Sequence, residues 1–370
     1  MRYYNIVITD PKNPALKQVY TSWVNGQNDP GALNITFDFL SAALDTPLGN
    51  FMLEISGIPL QSIAQAANLN NKNIVVSAGF QKGLPLANPA QAGPIAEGFI
   101  VQAFGNWIGT DMTLDLVISP GSAPGSPAPA PATAAQAPAP TTPATTPTGT
   151  LNAPINGAFS LPANLPLSVG ITNFLRQAMP GYVPIVAIQE HIVTPVAVYH
   201  VVRTLAEFAA WVRQFSQARV GGSYPGVQMR IDPGNRIVVW DGTQASSTPA
   251  ATSSATSAST PPAIKTVAIA FQDLIGQPTW LDPATVQFKC ALRADVAVGY
   301  IIKPPQGFYG VVPAGNIATP WNYRNQSAQQ GTFTAIRVRQ LGNFRAPDAG
   351  AWVTVIDAAF VPAQSSAANG

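Results

Sequence analysis

Two low-complexity stretches set what this chain of 370 residues can fold into. Residues 120–150 consist almost entirely of Pro, Ala, Thr, Gly and Ser, and residues 243–262 are rich in Ser, Thr and Ala. Chain of this composition stays extended and cannot bury a hydrophobic core. We therefore predict two linkers that separate three folded segments, residues 1–119, 151–242 and 263–362.

Charged residues are scarce: they make up 10% of the chain, against about 25% in an ordinary soluble domain. Hydrophobic residues make up 46%, yet no run reaches the ~18 apolar residues of a transmembrane helix. No basic stretch followed by an apolar one opens the sequence, so no secretory signal is predicted. A chain with so few charges is typical either of a β-rich protein whose surface carries neutral polar groups, or of a subunit whose surface is covered by its neighbours. We favour the second interpretation.

The first and last segments are predicted to be β, because short alternating apolar runs are bounded there by Gly, Pro, Asn and Asp. In the first segment, one short helix should place its apolar residues on one face, and Asn70-Asn71 should then turn the chain back. We expect a closed or nearly closed antiparallel sheet that this helix caps. No residue-level repeat relates the two β segments. The helix residues are Leu60, Ile63, Ala64 and Ala67.

The middle segment is predicted to be α+β. Ser168 should cap a helix that stops at Pro180-Gly181. Thr204 and Glu207 form a capping box for a second helix, and residues 232–235, Asp-Pro-Gly-Asn, join two strands in a hairpin. We favour packing of the second helix on this hairpin over a ligand groove. Its apolar residues at helical spacing are Leu205, Phe208, Val212 and Phe215.

The sequence gives little support for catalysis. His191 and His200 are nine residues apart around a predicted strand, which is not the spacing of a helical metal pair. No nucleophile elbow, phosphate loop, dinucleotide fingerprint, calcium loop or CxxC is present. We therefore predict no catalytic residue, no cofactor and no metal site, and a protein that is not an enzyme. Cys290 is the only cysteine, which excludes an internal disulfide, and we predict a buried, inert thiol.

The acidic residues are too dispersed to define a site. Asp111 and Asp115 share a face of a predicted strand but lie too far apart to touch. A glycosidase pair assembled from distant carboxylates remains open, although Glu207 is already assigned to a helix cap. The carboxylates considered for it are Glu54, Glu97, Glu190 and Glu207.

Arginine and aspartate are the conspicuous polar residues of the last segment. Arginine suits bidentate, partly buried pairing with carboxylates. Two interpretations stay open. The residues form ion pairs between subunits and fix the register of the subunits, or they are charges solvated at the surface. The residues are Arg293, Asp295, Arg324, Arg337, Arg339, Arg345, Asp348 and Asp357.

Two regions resemble the hub proteins of phage tail baseplates. Residues 53–118 contain an I-x-G strand, a short helix, a strand ending in A-G-F, and an E-G-x-I/V strand. Residues 269–305 end in the pattern R-x-D-x-x-x-G-x-x-I-x-x-P, and residues 331–358 continue the similarity. Together they cover well over half of the chain. The long Pro/Ala linker and the short middle segment depart from the family's pattern.

The resemblance implies a mainly β fold with an α+β middle domain and two tail-tube-like antiparallel β-barrel or sandwich domains. Hub proteins of this kind assemble as homotrimers whose six such domains form a ring. The ring would join the tail tube or tube-initiator proteins to the central spike, contact other baseplate subunits, and line the channel through which genomic DNA passes transiently. The location implied is the virion tail, assembled in the cytoplasm of the bacterial host.

Two alternatives belong to other classes of protein. Pro/Thr linkers between β domains are also common in secreted proteins that bind carbohydrates or cell surfaces. A tail-associated cell-wall hydrolase would need its site in the middle segment, which offers Glu190, His191, His200 and Glu207.

Overall fold

The fold is mainly β, as the sequence predicts. Both predicted linkers lie outside the residues that the structure describes, apart from Pro120 and Gly121. The boundaries of the three predicted segments therefore stay predictions. None of the described helices is long and apolar enough to cross a membrane. The computed structural model describes residues 1–46, 51–81, 88, 91–121, 155–188, 192–222, 224–241, 264–282, 284–305 and 332–361.

The short alternating apolar runs of the first segment form six strands, in agreement with the predicted β structure. Their inward side chains alternate with half-buried ones, as in Tyr4, Ile6 and Ile8. Three further short strands were not predicted, because none of their side chains is buried and two of the strands have only two residues. The strands are β1 (Arg2–Thr9), β2 (Lys17–Thr21), β3 (Trp23–Val24), β4 (Gln27–Asn28), β5 (Asn34–Ala42), β6 (Phe51–Ser56), β7 (Asn73–Phe80), β8 (Gly93–Ile108) and β9 (Asp111–Pro120).

The predicted helix of this segment is shorter than expected and buries different residues. It consists of α1 (Leu60–Ala64) and one 3₁₀ turn, Ala66–Leu69, and the buried residues are Ala66 and Leu69. Of the predicted apolar face, Ile63 packs against the core, whereas Leu60, Ala64 and Ala67 are exposed. Only Asn71 takes the left-handed conformation of the turn. The side chain of Asn70 instead accepts a hydrogen bond of 2.7 Å from the backbone N–H of Ala103.

The middle segment has the predicted α+β character. Pro166 rather than Ser168 precedes its first helix, so the predicted cap is wrong. It contains β10 (Gly157–Leu161), α2 (Leu167–Ala178), β11 (Val183–Ala187), β12 (Val198–Val202), α3 (Leu205–Val220), β13 (Val227–Asp232) and β14 (Arg236–Asp241). Strands β13 and β14 form the predicted hairpin, and β11 adds to β14 in parallel.

The N-terminus of α3 is capped by Thr204, whose side chain accepts a hydrogen bond from Glu207 N. In the predicted capping box, the Glu207 side chain would accept from the backbone N–H of Thr204. It accepts instead from the preceding residue, with Arg203 N 3.1 Å from Glu207 Oε2. Phe208 and Val212 are buried in one cluster with residues of the β13–β14 hairpin. The predicted packing of this helix on the hairpin is confirmed.

The last segment is β, and it includes one strand that the sequence analysis missed. The strands are β15 (Thr266–Ala268), β16 (Thr279–Asp282), β17 (Thr285–Ala291), β18 (Ile301–Lys303), β19 (Thr332–Asn343) and β20 (Trp352–Val361). The missed strand is β16, whose four residues lie between two prolines and are too few to show a period.

The first and last segments share one sheet, which the sequence did not predict. The path of hydrogen-bonded strands is β16-β17-β20-β19-β5-β6-β9-β8-β7-β1-β2, with β18 on β19 and β15 on β18. The junction is the antiparallel pair β5–β19, from Thr36 opposite Asn343 to Ala42 opposite Arg337. We call this pair the internal junction.

The middle segment packs on the last one through Trp240 at the end of β14. Its side chain is buried in the core of the last segment. Arg230, also buried, lies over the Trp240 and Tyr300 rings and donates to Val298 O at 2.7 Å and to both carboxylate oxygens of Asp232. These contacts fix the α+β segment against the joined sheet.

Candidate functional site

The carboxylates considered for catalysis are dispersed, with one exception. Glu54 on β6 lies directly opposite Asp115 on β9, a cross-strand pair that the sequence did not reveal. Burial, and then the charge of Glu54, raise the pKa of Asp115, while Asn106 donates a hydrogen bond to it. Asp111 lies at the start of β9, apart from this pair. Glu97 accepts a hydrogen bond from Gly234 N at 2.8 Å and so links β8 to the middle segment.

Of the four candidate residues in the middle segment, Glu190 and His191 lie outside the described residues. Glu207 is held at the cap of α3. His200 stacks on Trp211 with ring centroids 4.4 Å apart, and its buried Nε2 has no hydrogen-bond partner among the described residues. The His200 ring is therefore held by stacking on Trp211, and its Nε2 lacks a hydrogen-bond partner among the described residues.

Cys290 is buried, as predicted. Burial raises the pKa of its thiol to about 12, and the sulfur lies 3.5 Å from Thr354 O. Among the described residues, no group of three or more His, Cys, Asp and Glu side chains could hold a metal ion.

The arginine pairs lie within the chain. Arg293 is buried and bonds both oxygens of Asp295, at 2.6 and 2.8 Å, with Asp273 at 3.3 Å. Gln91 of the first segment also donates to Asp273, at 3.3 Å. For Arg293, both interpretations left open by the sequence are wrong: its charge is neither solvated nor paired across subunits, but is buried against two carboxylates, one of which also binds Gln91 of the first segment.

The remaining arginines are more exposed. Arg339 pairs with Asp38 across the internal junction, with Nε 2.8 Å from Oδ1. Arg337 approaches Asp357 at 3.7 Å on the neighbouring strand. Arg345 donates to Pro30 O at 3.1 Å. Two further residues of this group are Asp348, whose carbonyl accepts from Arg2, and Arg324, which lies outside the described residues.

The two β segments repeat one strand order. In the first it is β5-β6-β9-β8-β7-β1, and in the last it is β16-β17-β20-β19-β18-β15. Corresponding neighbours pair in the same sense except at the end, where β7–β1 is antiparallel and β18–β15 is parallel. We call these two sets of strands the first and second β units.

The two β units also share a bulge at equivalent positions, although their sequences show no residue-level repeat. In β8 the pairing with β9 shifts between Ile100 and Gln102, and in β19 the pairing with β20 shifts between Ala335 and Arg337. At both bulges one buried residue is followed by two exposed ones and a buried one. This interruption of the alternation is the one signal by which the sequence could have revealed the repeat.

The two bulged strands have equivalent neighbours before the bulge and different neighbours beyond it. Before its bulge, β8 pairs with β7, as β19 pairs with β18. Beyond its bulge, β19 pairs with β5, whereas residues 102–108 of β8 have no second strand among the described residues. The strand equivalent to β5 in the second unit is β16, which likewise has only β17 beside it in the described part of the chain.

These two edges carry exposed apolar side chains. On β8, the exposed fractions are 37% for Phe104, 63% for Trp107 and 77% for Ile108. On β16, Leu281 is 52% exposed. Strand edges with exposed apolar side chains can associate with another chain. We call residues 102–108 the β8 edge and residues 279–282 the β16 edge.

Another exposed apolar surface lies on β12 of the middle segment. Tyr199 and Val201 point to the same side of this strand and are exposed, as is Val196 just before it. Strand β12 pairs with β10 in a sheet of two described strands. No described contact indicates what would cover this surface.

Comparison with known proteins gives no match to any protein-family model and none to a curated protein sequence. Solved structures do resemble this chain. One is the Escherichia coli c3393 protein, described as a component of the type VI secretion system with structural similarity to the T4 bacteriophage tail proteins gp27 and gp5. It is 9% identical with a TM-score of 0.45, and the match covers 91% of this chain and 76% of that one.

Two others are tail proteins. The 43 kDa tail protein of prophage MuSo2 from Shewanella oneidensis is 10% identical, with a TM-score of 0.45. A tail protein from Neisseria meningitidis MC58 is 9% identical, with a TM-score of 0.43. Each match covers 96% of both chains. Two of the three structures named here are thus described as tail proteins, and all three resemble this chain only distantly.

Proposed function

We propose that this chain is a structural subunit of a phage tail baseplate hub. Three copies would form a ring of six β units that joins the tail tube to the central spike and lines the ejection channel. The observation that supports the proposal most is the joined sheet, in which two β units of equal strand order lie side by side in one chain.

The internal junction has the geometry that a ring requires. It joins the β5 side of the first unit to the β19 side of the second, which are different surfaces. Contacts between unlike surfaces of equivalent units propagate in one rotational direction and close into a ring when the rotation permits. Contacts between identical surfaces would instead close as a dimer and could not continue into a ring. Among the described residues, β16 ends the path of strands and residues 102–108 of β8 have no second strand beside them, so the joined sheet could continue at both places.

The sequence composition agrees with this role. With 10% charged residues, the chain has few groups to keep a large surface solvated on its own. A subunit covered by its neighbours, by a tube protein and by a spike has less need of them. Genomic DNA would pass a lumen of weak charge without lasting contact.

Mass measurement tests the proposal directly. Light scattering coupled to size-exclusion chromatography should give three times the chain mass, and electron micrographs should show a ring with a central hole. A monomer of loosely strung domains at all concentrations would refute the hub. The secreted binding protein is the alternative that such a monomer would favour.

The cell-wall hydrolase is tested separately. Of its four candidate residues, Glu207 is engaged in a helix cap and His200 is stacked on Trp211. We expect no clearing when the purified protein is run in a gel containing peptidoglycan. A lytic band that the variant Glu190→Gln abolishes would instead establish the enzyme.

A further inference from the structure

We propose that the β8 edge binds an extended strand of a different protein, which adds to the sheet antiparallel to β8. The bound strand has an apolar residue opposite Phe104 and a small residue opposite Trp107. This site goes beyond the proposed ring, because it needs no second copy of the chain. The internal junction shows the same kind of contact, since β19, the strand equivalent to β8, holds β5 on the corresponding edge.

The two bulges align β8 with β19. Pairing resumes after the shift at Gln102 in β8 and at Arg337 in β19. Counting on from these two residues, Phe104 corresponds to Arg339. Equivalent backbone groups therefore point the same way on both strands.

The neighbouring strand also ends at the same place in both β units. Asn71 N donates to Ile100 O, and Gly299 N donates to Ala335 O, each at 2.7 Å. Asn71 and Gly299 both have a positive φ, 62° and 82°, with which the backbone turns. Each unit therefore leaves the edge beyond its bulge to another strand.

The internal junction identifies the backbone groups that such a strand would meet. Phe344 N donates to Ile35 O, and hydrogen-bonded pairs alternate along antiparallel strands. Every second residue of β19 therefore faces β5 with its N–H and C=O. These residues are Val338, Gln340 and Gly342, and their equivalents on β8 are Ala103, Gly105 and Trp107.

Asn70 occupies the first of these three positions on β8. Its side chain accepts the N–H of Ala103 at 2.7 Å. In the internal junction, the equivalent N–H of Val338 faces Ser41 instead. The Asn70 amide thus replaces the first carbonyl of an added strand. The last two positions have no second strand beside them among the described residues, and they set a short pairing toward the tip of the β8–β9 hairpin.

The side chains of the edge specify the strand that it can take. A Cβ at Gly342 would lie 2.2 Å from ring atoms of Phe37, so this large residue of β5 needs a glycine opposite. Trp107 stands at the equivalent position of β8, and a strand there needs a small residue. Phe104 is 37% exposed and open to an apolar partner. None of residues 102–108 is charged, so the strand needs no charge of its own.

The described part of the chain offers no spare strand of the β5 type for this edge. Strand β5 itself already lies between β6 and β19. The equivalent strand of the second unit is β16, and its Trp280 already has an interaction. The strand that binds the β8 edge therefore comes from a different protein.

A synthetic peptide with the sequence of β5 is the probe, because the equivalent edge holds β5. It covers residues 34–42 with Phe37→Ala, the small residue that Trp107 requires, and carries a fluorophore at its N-terminus. Fluorescence anisotropy should show saturable binding to the full chain.

Two variants of the chain locate the binding. Phe104→Asp should weaken binding of the peptide by at least about tenfold, because a carboxylate would face an apolar side chain. Tyr199→Asp makes an equally large change on the exposed surface of β12 and should leave the affinity unchanged.

Two N-methylated peptides separate strand addition from adhesion of an apolar peptide. Phe39 lies opposite Gln340 in a hydrogen-bonded pair, so a methyl group on its backbone nitrogen would face the edge and should abolish binding. A methyl group on the nitrogen of Leu40 points away from the edge. That peptide should bind as well as the unmodified one.

A disulfide tests the register. In the internal junction, Leu40 lies opposite Arg339 in a non-hydrogen-bonded pair. Leu40 of the peptide should therefore lie opposite Phe104, with Cα atoms about 4.5 Å apart, which suits a disulfide. A Leu40→Cys peptide should cross-link to the Phe104→Cys chain on mild oxidation, and not to the Asn106→Cys chain. The native Cys290 is buried and does not compete.

Each outcome supports the strand site or overturns it. Saturable binding that only the methyl group on Phe39 abolishes, with the cross-link at Phe104, supports it. No saturable binding, equal binding of both methylated peptides, or a cross-link at Asn106 instead overturns it. Loss of self-association in Phe104→Asp would assign the edge to a second copy and would also overturn it. Because peptide binding is measured whatever the number of copies in the assembly, a failed hub leaves this result unaffected.

Discussion

At the scale of single residues, the carboxylates of Asp115 and Glu54 face each other across β9 and β6. Ionising Asp115 is unfavourable in the folded chain, since burial and the charge of Glu54 raise its pKa. We expect Asp115→Asn to raise the melting temperature at pH 7, by only about 1–2 °C because solvent screens the pair. The amide oxygen can still accept from Asn106, and differential scanning calorimetry measures the change.

The pH dependence of this gain has a definite sign. A carboxyl whose pKa is raised on folding destabilises the fold only when it is ionised. The advantage of Asp115→Asn should therefore vanish at pH 3, below the ordinary value of 3.8, and grow as the pH rises through and past it. Asp111→Asn makes the same charge change away from Glu54 and should show no such gain. An equal gain in both variants would contradict the pairing.

Cys290 should be almost unreactive in the folded chain. With a pKa of about 12, a fraction of only about 10⁻⁴ of the thiol is ionised at pH 8, and the thiolate is the reactive form. We expect a thiol reagent to label the native protein orders of magnitude more slowly than the unfolded one. Fast labelling of the native protein would show that the core around β17 opens.

At the scale of elements, the internal junction depends on a glycine. A Cβ at Gly342 of β19 would lie 2.2 Å from ring atoms of Phe37 on β5. We expect Gly342→Ala to destabilise the fold by about 1–3 kcal/mol, because the buried Phe37 ring or the strand that carries it must move. Urea denaturation measures the loss.

Gly181→Ala is the matched control, since a Cβ there meets nothing within 4 Å. It should change the free energy of unfolding little. If Gly342→Ala were as mild as Gly181→Ala, β5 and β19 would not be in close contact in solution.

The sequence revealed elements better than connections. The long strands of both β units could be predicted, because side chains such as Ile6 and Ile8 alternate with polar ones. The hairpin at Gly234 was predicted from its turn residues. Strand β16 and the buried residues of the α1 region were not, because four residues carry no period and the packing of a short helix is decided by the sheet above it.

There is a physical reason why the sequence did not predict the pairing of β5 with β19. Edge pairing uses backbone groups that every residue possesses, so its partners leave little trace in side-chain pattern. The same holds for Glu54 and Asp115, which meet only because β6 pairs with β9. The burial of Arg293 could not be predicted either, because its partner Asp273 lies in a 3₁₀ turn and is itself bonded by Gln91 of the first segment.

At the scale of the whole molecule, binding of a strand at the β8 edge should depend weakly on salt. None of residues 102–108 is charged, so Coulombic attraction contributes little to the proposed contact. We expect the association constant of the β5 peptide to change by less than about threefold between 0.05 and 0.5 M NaCl. Fluorescence anisotropy measures it. A loss of binding at high salt would place the contact on a charged surface instead.

The internal junction also has a consequence for synthesis. Strand β5 is made early, but its neighbour β19 lies about 300 residues later in the chain. At 5–20 residues per second, the edge of β5 waits roughly 15–60 s for its own partner to leave the ribosome. During that interval, β19 of a neighbouring nascent chain on the same messenger could take its place and give a swapped product. Slow translation or crowded polysomes would then favour interlocked chains over correctly folded ones.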